Sequence, residues 1–279
     1  MNGTTKKFKK NMKNPLEGKR VVFVENAMEE ENADGKKGHL EIIGESVAKR
    51  SLYDKVLKRE IDIILAFLGL LVLSPVILII CVAIFADDPG PIVFSQKRIG
   101  LNKRYFKLHK FRTMKMSTPH DVPTHMLTGP EHYITRVGHF LRKHSLDELV
   151  QIADILIGNM SIIGPRPALW NQDILIAERD KYGANDIKPG LTGWAQINGR
   201  DELDIPIKAE LDGVYAEILR KGGWKALLFD ARCFFGSIFR AFRGDGVIEG
   251  RKGGVKTSPI NPNDGKSLYP EDEFQFRRK

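Results

Sequence analysis

One run dominates the hydrophobic pattern of the chain: Ile63–Phe85, 23 residues without a charge. As a straight helix it would be roughly 35 Å long, enough for a hydrocarbon core of about 30 Å. Ser74 and Pro75 stand at its centre. A proline inside a helix cannot donate to the carbonyl one turn back, here Leu71, although a neighbouring serine can compensate for it. Basic residues flank the run on both sides. Lys49, Arg50, Lys55, Lys58 and Arg59 precede it, and Lys97, Arg98, Lys103 and Arg104 follow. Because Lys and Arg favour the cytoplasmic side, a single pass would strand one cluster outside. A re-entrant helix that bends at Ser74–Pro75 and leaves by its face of entry satisfies both flanks. The pattern favours that reading over a single span, with a buried core helix as the third option.

Shorter patterns follow. "PIVFSQKRIGLNKRYFKLHKFRTM" alternates around a turn and predicts a hairpin over Ile92–Arg98 and Tyr105–Arg112. Period two places Phe106, Leu108, Lys110 and Arg112 on one face of the second strand. These two cations either point towards an interior edge or snorkel from a solvated strand end. "GGWKALLFDARCFFGSIFRAFRG" is amphipathic at helical period. Trp224, Leu227, Leu228, Ala231, Phe235, Ile238, Phe239 and Phe242 share an arc, with Phe229 on the polar side. A helix lying in the headgroup plane and a helix packed on a soluble core fit it equally well.

In "LRKHSLDELVQIADIL", Ser145 and Glu148 have capping-box spacing ahead of Leu149, Ile152 and Leu156. Asp147 and Glu148 then fall in a helical first turn, which the helix dipole favours. Ionised carboxylates at such a place are also able to bind Mg²⁺ or to attack phosphorus. In "GNMSIIGPRPAL", Pro165 and Pro167 stiffen the backbone around Arg166, a residue suited to bidentate phosphate contacts. "IKPGLTGWAQINGRD" offers a glycine-rich loop ending in Arg200, a weak signal by itself. "TPHDVPTHMLTGPEHY" holds His120, Asp121, His125 and His132 at spacings that match no common zinc pattern, and reads as a loop over the site.

Composition narrows the picture. Lys and Arg outnumber Asp and Glu by 44 to 35, a formal charge of +9 that suits an anionic partner. The strongest basic clusters flank the apolar run, so lipid headgroups or phosphorylated substrates fit better than nucleic acid. Two distant cysteines, Cys81 and Cys233, argue against a disulfide scaffold. The polar N-terminus does not read as a secretory signal. The expected organisation is a mobile polar arm over 1–48 and a re-entrant membrane helix with its flanks over 49–90. A cytoplasmic catalytic domain follows over 91–249, then a flexible tail over 250–279. The fold class is α/β, mostly helical with a small β-hairpin.

Taken together and in this order, the apolar helix, the hairpin, "LRKHSLDELVQIADILIGNMSIIGPRPAL" and "IKPGLTGWAQINGRD" resemble the bacterial sugar transferases, the monotopic phosphoglycosyl transferases. The likeness covers about Lys49 to Arg243. It implies transfer of a sugar 1-phosphate from a UDP-sugar to undecaprenyl phosphate, with release of UMP, at the cytoplasmic face of a bacterial plasma membrane. It also implies a capsule or exopolysaccharide pathway. By the resemblance Asp147 is a nucleophile that forms a covalent phosphosugar adduct, and Glu148 holds Mg²⁺. Ser74–Pro75 is then the membrane-helix break, and Pro165, Arg166 and Pro167 are the family's Pro-Arg-Pro motif. Lys110, Arg112, Arg142, Arg166 and Arg200 are the candidates to neutralise phosphate charge. A basic membrane-surface scaffold without catalysis is the competing reading. The sugar and the oligomeric state, a homodimer included, are left open.

Overall fold

A computed structural model describes residues 13–46, 50–118, 130–199 and 203–243. The tail over 250–279, Arg200 and the loop carrying His120, Asp121 and His125 lie outside the described residues. About half of the chain is helical, and the sheets are three separate two-stranded pairs.

The first pair corrects the expectation of a mobile arm. β1 (Lys19–Glu25) and β2 (Gly38–Glu45) form an antiparallel hairpin with a bulge at Arg20/Val21. Then come α1 (Lys58–Asp87), β3 (Val93–Ile99), β4 (Tyr105–Phe111), α2 (Arg136–Lys143), α3 (Gln151–Ile157), β5 (Ser161–Ile163) and α4 (Asp173–Tyr182). Last are β6 (Gly190–Thr192), α5 (Trp194–Ile197), α6 (Ile205–Lys221) and α7 (Gly223–Arg243). The hairpin docks on α4. Val21 is buried with Leu175 and Ile176, and its N–H donates to Asp180 Oδ2 at 2.8 Å. Asp180 also accepts from the fully buried Lys103 ammonium, at 2.9 and 3.0 Å, and from Asn185. Arg20 pairs with Asp186 at 2.6 Å, and Asp34 Oδ2 accepts the N–H of Ile174 at 2.8 Å at the start of α4. None of these anchors is local in sequence, so the segment's own charge-blocked composition conceals them.

β3 and β4 pair in register from Val93–Phe111 to Ile99–Tyr105, within a residue of the predicted hairpin. Phe106 and Leu108 pack with Ile152, Ile155 and Met160, so β4 and α3 share a core. β5 and β6 are parallel, Ser161 beside Gly190 and Ile163 beside Thr192. This approach demands glycine: a Cβ on Gly190 would stand 2.1 Å from Gly164 N, and one on Gly193 2.2 Å from Gly164 O. The glycine-rich loop therefore packs backbone on backbone, and its Trp194 is a core residue 4.7 Å from the Phe229 ring.

α1 is long and apolar enough to cross a membrane. Its helical assignment runs unbroken through Pro75, and Ser74 Oγ donates to the Leu71 carbonyl at 2.8 Å. That carbonyl is the one the proline ring deprives of its N–H partner, so the serine substitutes for it. Phe67, Leu71, Val72, Leu78, Ile79 and Val82 are exposed. One stripe packs on the domain along the whole helix. Ala66 and Leu73 meet the β4–α3 core, and Ile77, Ile80, Cys81 and Ile84 meet Phe111, Leu141 and Leu149.

α7 does not pack its apolar arc on the core, as one of its two readings expects, but leaves that arc outward. Ala226, Phe229, Asp230 and Cys233 are buried, whereas Trp224, Leu228, Phe235 and Phe239 are exposed. Asp230 is the reason. It accepts from Tyr53 at 2.7 Å, from Lys58 at 2.8 Å and from Tyr215 at 2.7 Å, a network that joins the base of α1 to α6 and α7. A buried charge needs such partners, and they draw the nominally polar face inward.

The docking of the hairpin is testable. Asp180→Ala leaves Lys103 buried without its counter-charge, a cost of about 3–5 kcal/mol. The expected result is a clear fall in the urea or thermal midpoint of the purified chain. An unchanged midpoint contradicts the structural role given to Asp180.

Candidate active site

The two carboxylates do not start a capped helix. Ser145 adopts a left-handed conformation, φ 54°, and its side chain makes no cap hydrogen bond. Residues Leu146–Glu148 form a single 3₁₀ turn, and α3 begins only at Gln151. The capping-box expectation fails because Glu148 is taken by tertiary partners. Lys110 Nζ donates to Glu148 Oε1 at 2.8 Å, and Arg166 reaches both oxygens, Nη1 to Oε2 at 3.1 Å and Nη2 to Oε1. Three distant segments thus converge on one carboxylate. β4 supplies Lys110, the turn supplies the dyad, and the loop after β5 supplies Arg166.

That loop is held firmly. Pro165 and Pro167 are buried while Arg166 is half-buried. The Pro165 carbonyl accepts from Gly190 N at 2.8 Å, and the Pro167 carbonyl accepts from Arg98 Nη1 at 3.0 Å. Arg98 is the site residue that the sequence reading missed. Its other guanidinium nitrogen, Nη2, donates to Gln96 at 2.8 Å. Burial, and then the charge of Arg166, push its pKa down to about 10. The signal was present: Arg98 shares the strand face of Gln96, two residues away, but a single Arg on a basic strand does not stand out.

The dyad members differ in electrostatics. Burial works to raise the Glu148 pKa, but the charges of Arg166 and Lys110 outweigh it and hold the carboxyl well below its usual range. Burial raises the Asp147 pKa, opposed by Lys110 and reinforced by Glu148. Asp147 has one contact with Lys110, Oδ2 at 3.2 Å, and is 8% exposed. Arg142 lies close enough to lower the Asp147 pKa while its Nε donates to Thr113 at 2.8 Å. One carboxylate is therefore locked as a fixed anion, and its neighbour is loosely held.

Arg112 is not brought to the dyad. Its N–H donates to Ile92 at 2.8 Å, and its guanidinium binds the Asp88 carbonyl and side chain at the end of α1. Period two was sound as far as Lys110, but β4 ends at Phe111 and the chain turns away. Arg200 falls outside the described residues. No group of three or more His, Cys, Asp or Glu gathers among the described residues. Asp147 and Glu148 are a pair of hard oxygen donors, a set suited to Mg²⁺ shared with substrate phosphates rather than to a closed protein cage.

The model of the family described as "Bacterial sugar transferase" matches residues 53–244. The chain belongs to this family. It is 39% identical over 199 residues to the UDP-glucose:undecaprenyl-phosphate glucose-1-phosphate transferase of Escherichia coli, covering 68% of this chain and 41% of that protein. It is 38% identical over 162 residues to a sugar transferase of Bacillus subtilis, EpsL, covering 58% of this chain and 78% of that protein. It is 34% identical over 195 residues to the exopolysaccharide production protein PSS of Rhizobium leguminosarum, covering 66% of this chain and 94% of that protein. The N-terminal hairpin precedes the matched region.

The dyad electrostatics predict a titration. Lys110 opposes the burial that raises the Asp147 pKa, so Lys110→Met removes the opposition and moves the Asp147 transition to still higher pH. Carboxyl carbon NMR of aspartate-labelled protein reads it directly. A transition that stays in place, or moves to lower pH, contradicts the arrangement.

Proposed function

We propose that the protein transfers a sugar 1-phosphate from a UDP-sugar to undecaprenyl phosphate. The observation that carries this reading is the unequal dyad. A locked Glu148 anion lies beside a loosely held, partly desolvated Asp147, on a turn whose Leu146 and Leu149 pack against the apolar helix α1. A water-soluble donor and a lipid acceptor meet at such a place.

In the first step an Asp147 oxygen attacks the sugar-bearing phosphorus. The bond from that phosphorus to the bridging oxygen breaks, and UMP leaves with the electron pair. An aspartyl phosphosugar results. In the second step the lipid phosphate oxygen attacks the same phosphorus and frees the Asp147 carboxylate. The product is a lipid diphosphosugar. Lys110 and Arg166 are placed to offset charge that develops on the phosphoryl oxygens, with Arg142 nearby. Glu148, with Asp147, is the candidate holder of Mg²⁺, which would neutralise charge on the donor diphosphate. The names of the relatives point to UDP-glucose as the first donor to test and to exopolysaccharide synthesis as the pathway class.

For the membrane we propose a one-sided placement on the cytoplasmic leaflet, with α1 bent at Ser74–Pro75 in the bilayer so that it enters and leaves by the same face. Both halves of α1 pack on one domain, which supports this over a crossing. The exposed apolar arc of α7 supports a position in the headgroup plane.

Two experiments, one on activity and one on topology, check these proposals. Purified protein with UDP-sugar, Mg²⁺ and undecaprenyl phosphate should release UMP. Asp147→Asn should abolish both release and an acid-labile phosphosugar adduct, and Glu148→Gln should weaken the Mg²⁺ dependence. An active, adduct-forming Asp147→Asn protein overturns the nucleophile assignment. Separately, reporter tags at the two chain ends should both read from the cytoplasm, and tags on opposite sides would refute the one-sided placement.

A further inference from the structure

Asp154 is the one acidic residue of α3, and the chemistry at the dyad does not use it. It is fully buried, and both of its oxygens face β4. Oδ2 accepts the N–H of His109 at 3.0 Å, and Oδ1 lies 2.8 Å from His109 Nδ1. An ionised carboxylate only accepts, so the ring donates there. The Arg112 N–H donates to Ile92 at 2.8 Å, and alternation along the antiparallel pair then leaves the His109 N–H on the edge of β4 that β3 does not cover. Asp154 satisfies that open donor. Its main-chain carbonyl accepts from Gly158 at 3.1 Å, Asn159 at 3.0 Å and Met160 at 3.3 Å, so the turn that closes α3 holds the residue in place.

These contacts reach the dyad through the strand. His109 precedes Lys110, whose ammonium donates to Asp147 at 3.2 Å and to Glu148 at 2.8 Å. The dyad turn runs on into α3. Leu149 N donates to Leu146 O at 3.2 Å, Ile152 N to Leu149 O at 3.2 Å and Ala153 N to Val150 O at 3.0 Å. Glu148 and Asp154 therefore stand on one rod, about 9 Å apart along its axis. Adjacent residues of β4 grip both points. Phe106 and Leu108 also pack on Ile152 and Ile155, but apolar contact is non-directional and does not fix how far the strand lies along the helix. Hydrogen bonds fix it, because they weaken steeply away from their preferred geometry. Both hydrogen bonds between β4 and α3 among the described residues go to Asp154. A slip of one strand residue, about 3.3 Å, would carry the Lys110 ammonium off the carboxylates.

We propose that Asp154 is a positioning residue. By gripping His109 from α3 it sets the place of β4 along the dyad rod, and so holds Lys110 Nζ between Asp147 and Glu148. It acts only through the strand. The kinetic consequence rests on the transferase reading above, and the placement of Lys110 does not.

The test uses the full chain and two variants. Asp154→Ala removes the acceptor, whereas Asp154→Asn keeps an oxygen for the His109 N–H. Asp154→Ala should lower kcat for UMP release at least about tenfold, with KM for the UDP-sugar within about twofold of wild type, and Asp154→Asn should restore most of the loss. In a Lys110→Met background, Asp154→Ala should cost less than about twofold more, because the residue acts through Lys110. Nitrogen NMR of lysine-labelled protein reads the placement without activity. The Lys110 ammonium signal, identified by its loss in Lys110→Met, should move in Asp154→Ala and return in Asp154→Asn. Wild-type kcat in Asp154→Ala, losses that multiply in the double variant, or an unmoved Lys110 signal each overturn the proposal. Where Asp154→Ala does not fold, Asp154→Ser, whose hydroxyl stops short of His109, takes its place with the same expectations. Absence of UMP in wild type would count against the transferase reading, and the NMR signal then decides the role of Asp154 independently, as it does where Lys110→Met leaves no release to compare.

Discussion

The contact on which the site depends is the double grip of Arg166 and Lys110 on Glu148. It ties together three segments that are far apart in sequence, and each is braced from behind. β4 rests on α3, the Arg166 loop is pinned by buried prolines and by Arg98, and the 3₁₀ turn rests on α1. Because Glu148 spends its charge on these partners, it cannot act as a freely moving base. That division leaves Asp147, whose carboxyl is buried and only loosely held, as the less constrained of the two. A site made in this way is held in place by the protein's own contacts, which would lower the reorganisation that the proposed phosphoryl transfer needs.

Much of this was legible in the chain. Alternation located the β3–β4 hairpin to within a residue, the proline pair marked a stiff segment around Arg166, and the apolar run marked α1. The failures have a common physical cause: a nonlocal partner outcompeted a local preference. Ser145 and Glu148 have the spacing of a capping box, but ion pairs from β4 and the Arg166 loop offer Glu148 more than a backbone N–H does. Residues 13–46 look too polar to fold, yet Val21, Asp34 and Arg20 need only α4 and its flanking loop as their platform. The period-two rule carried Lys110 to the dyad and then failed at Arg112, one residue past the strand end. Phe229 disturbed the helical wheel of α7 because the polar side was the buried one. Arg98 did not stand out among the basic residues of its strand until Pro167 was placed beside it.

The glycines where the β5 and β6 segments meet show how a motif with a ligand-like look can be architectural. Gly164, Gly190 and Gly193 bring two backbones into contact, and the result is a rigid shelf for Arg166. Trp194 is inside, packed on Phe229. The loop serves the chemistry at one remove, through the backbone it supports.

The Asp230 network has a mechanical corollary. Tyr53 and Lys58 stand at the root of α1, Tyr215 on α6 and Asp230 on α7, and one carboxylate fastens them all. The two elements that present apolar surface outward are therefore hinged at a common pin instead of floating separately. Any force that lifts one is delivered to the other, so on the proposed membrane placement the chain has a single draught, like a hull, and both helices at once set the height of the dyad above the lipid.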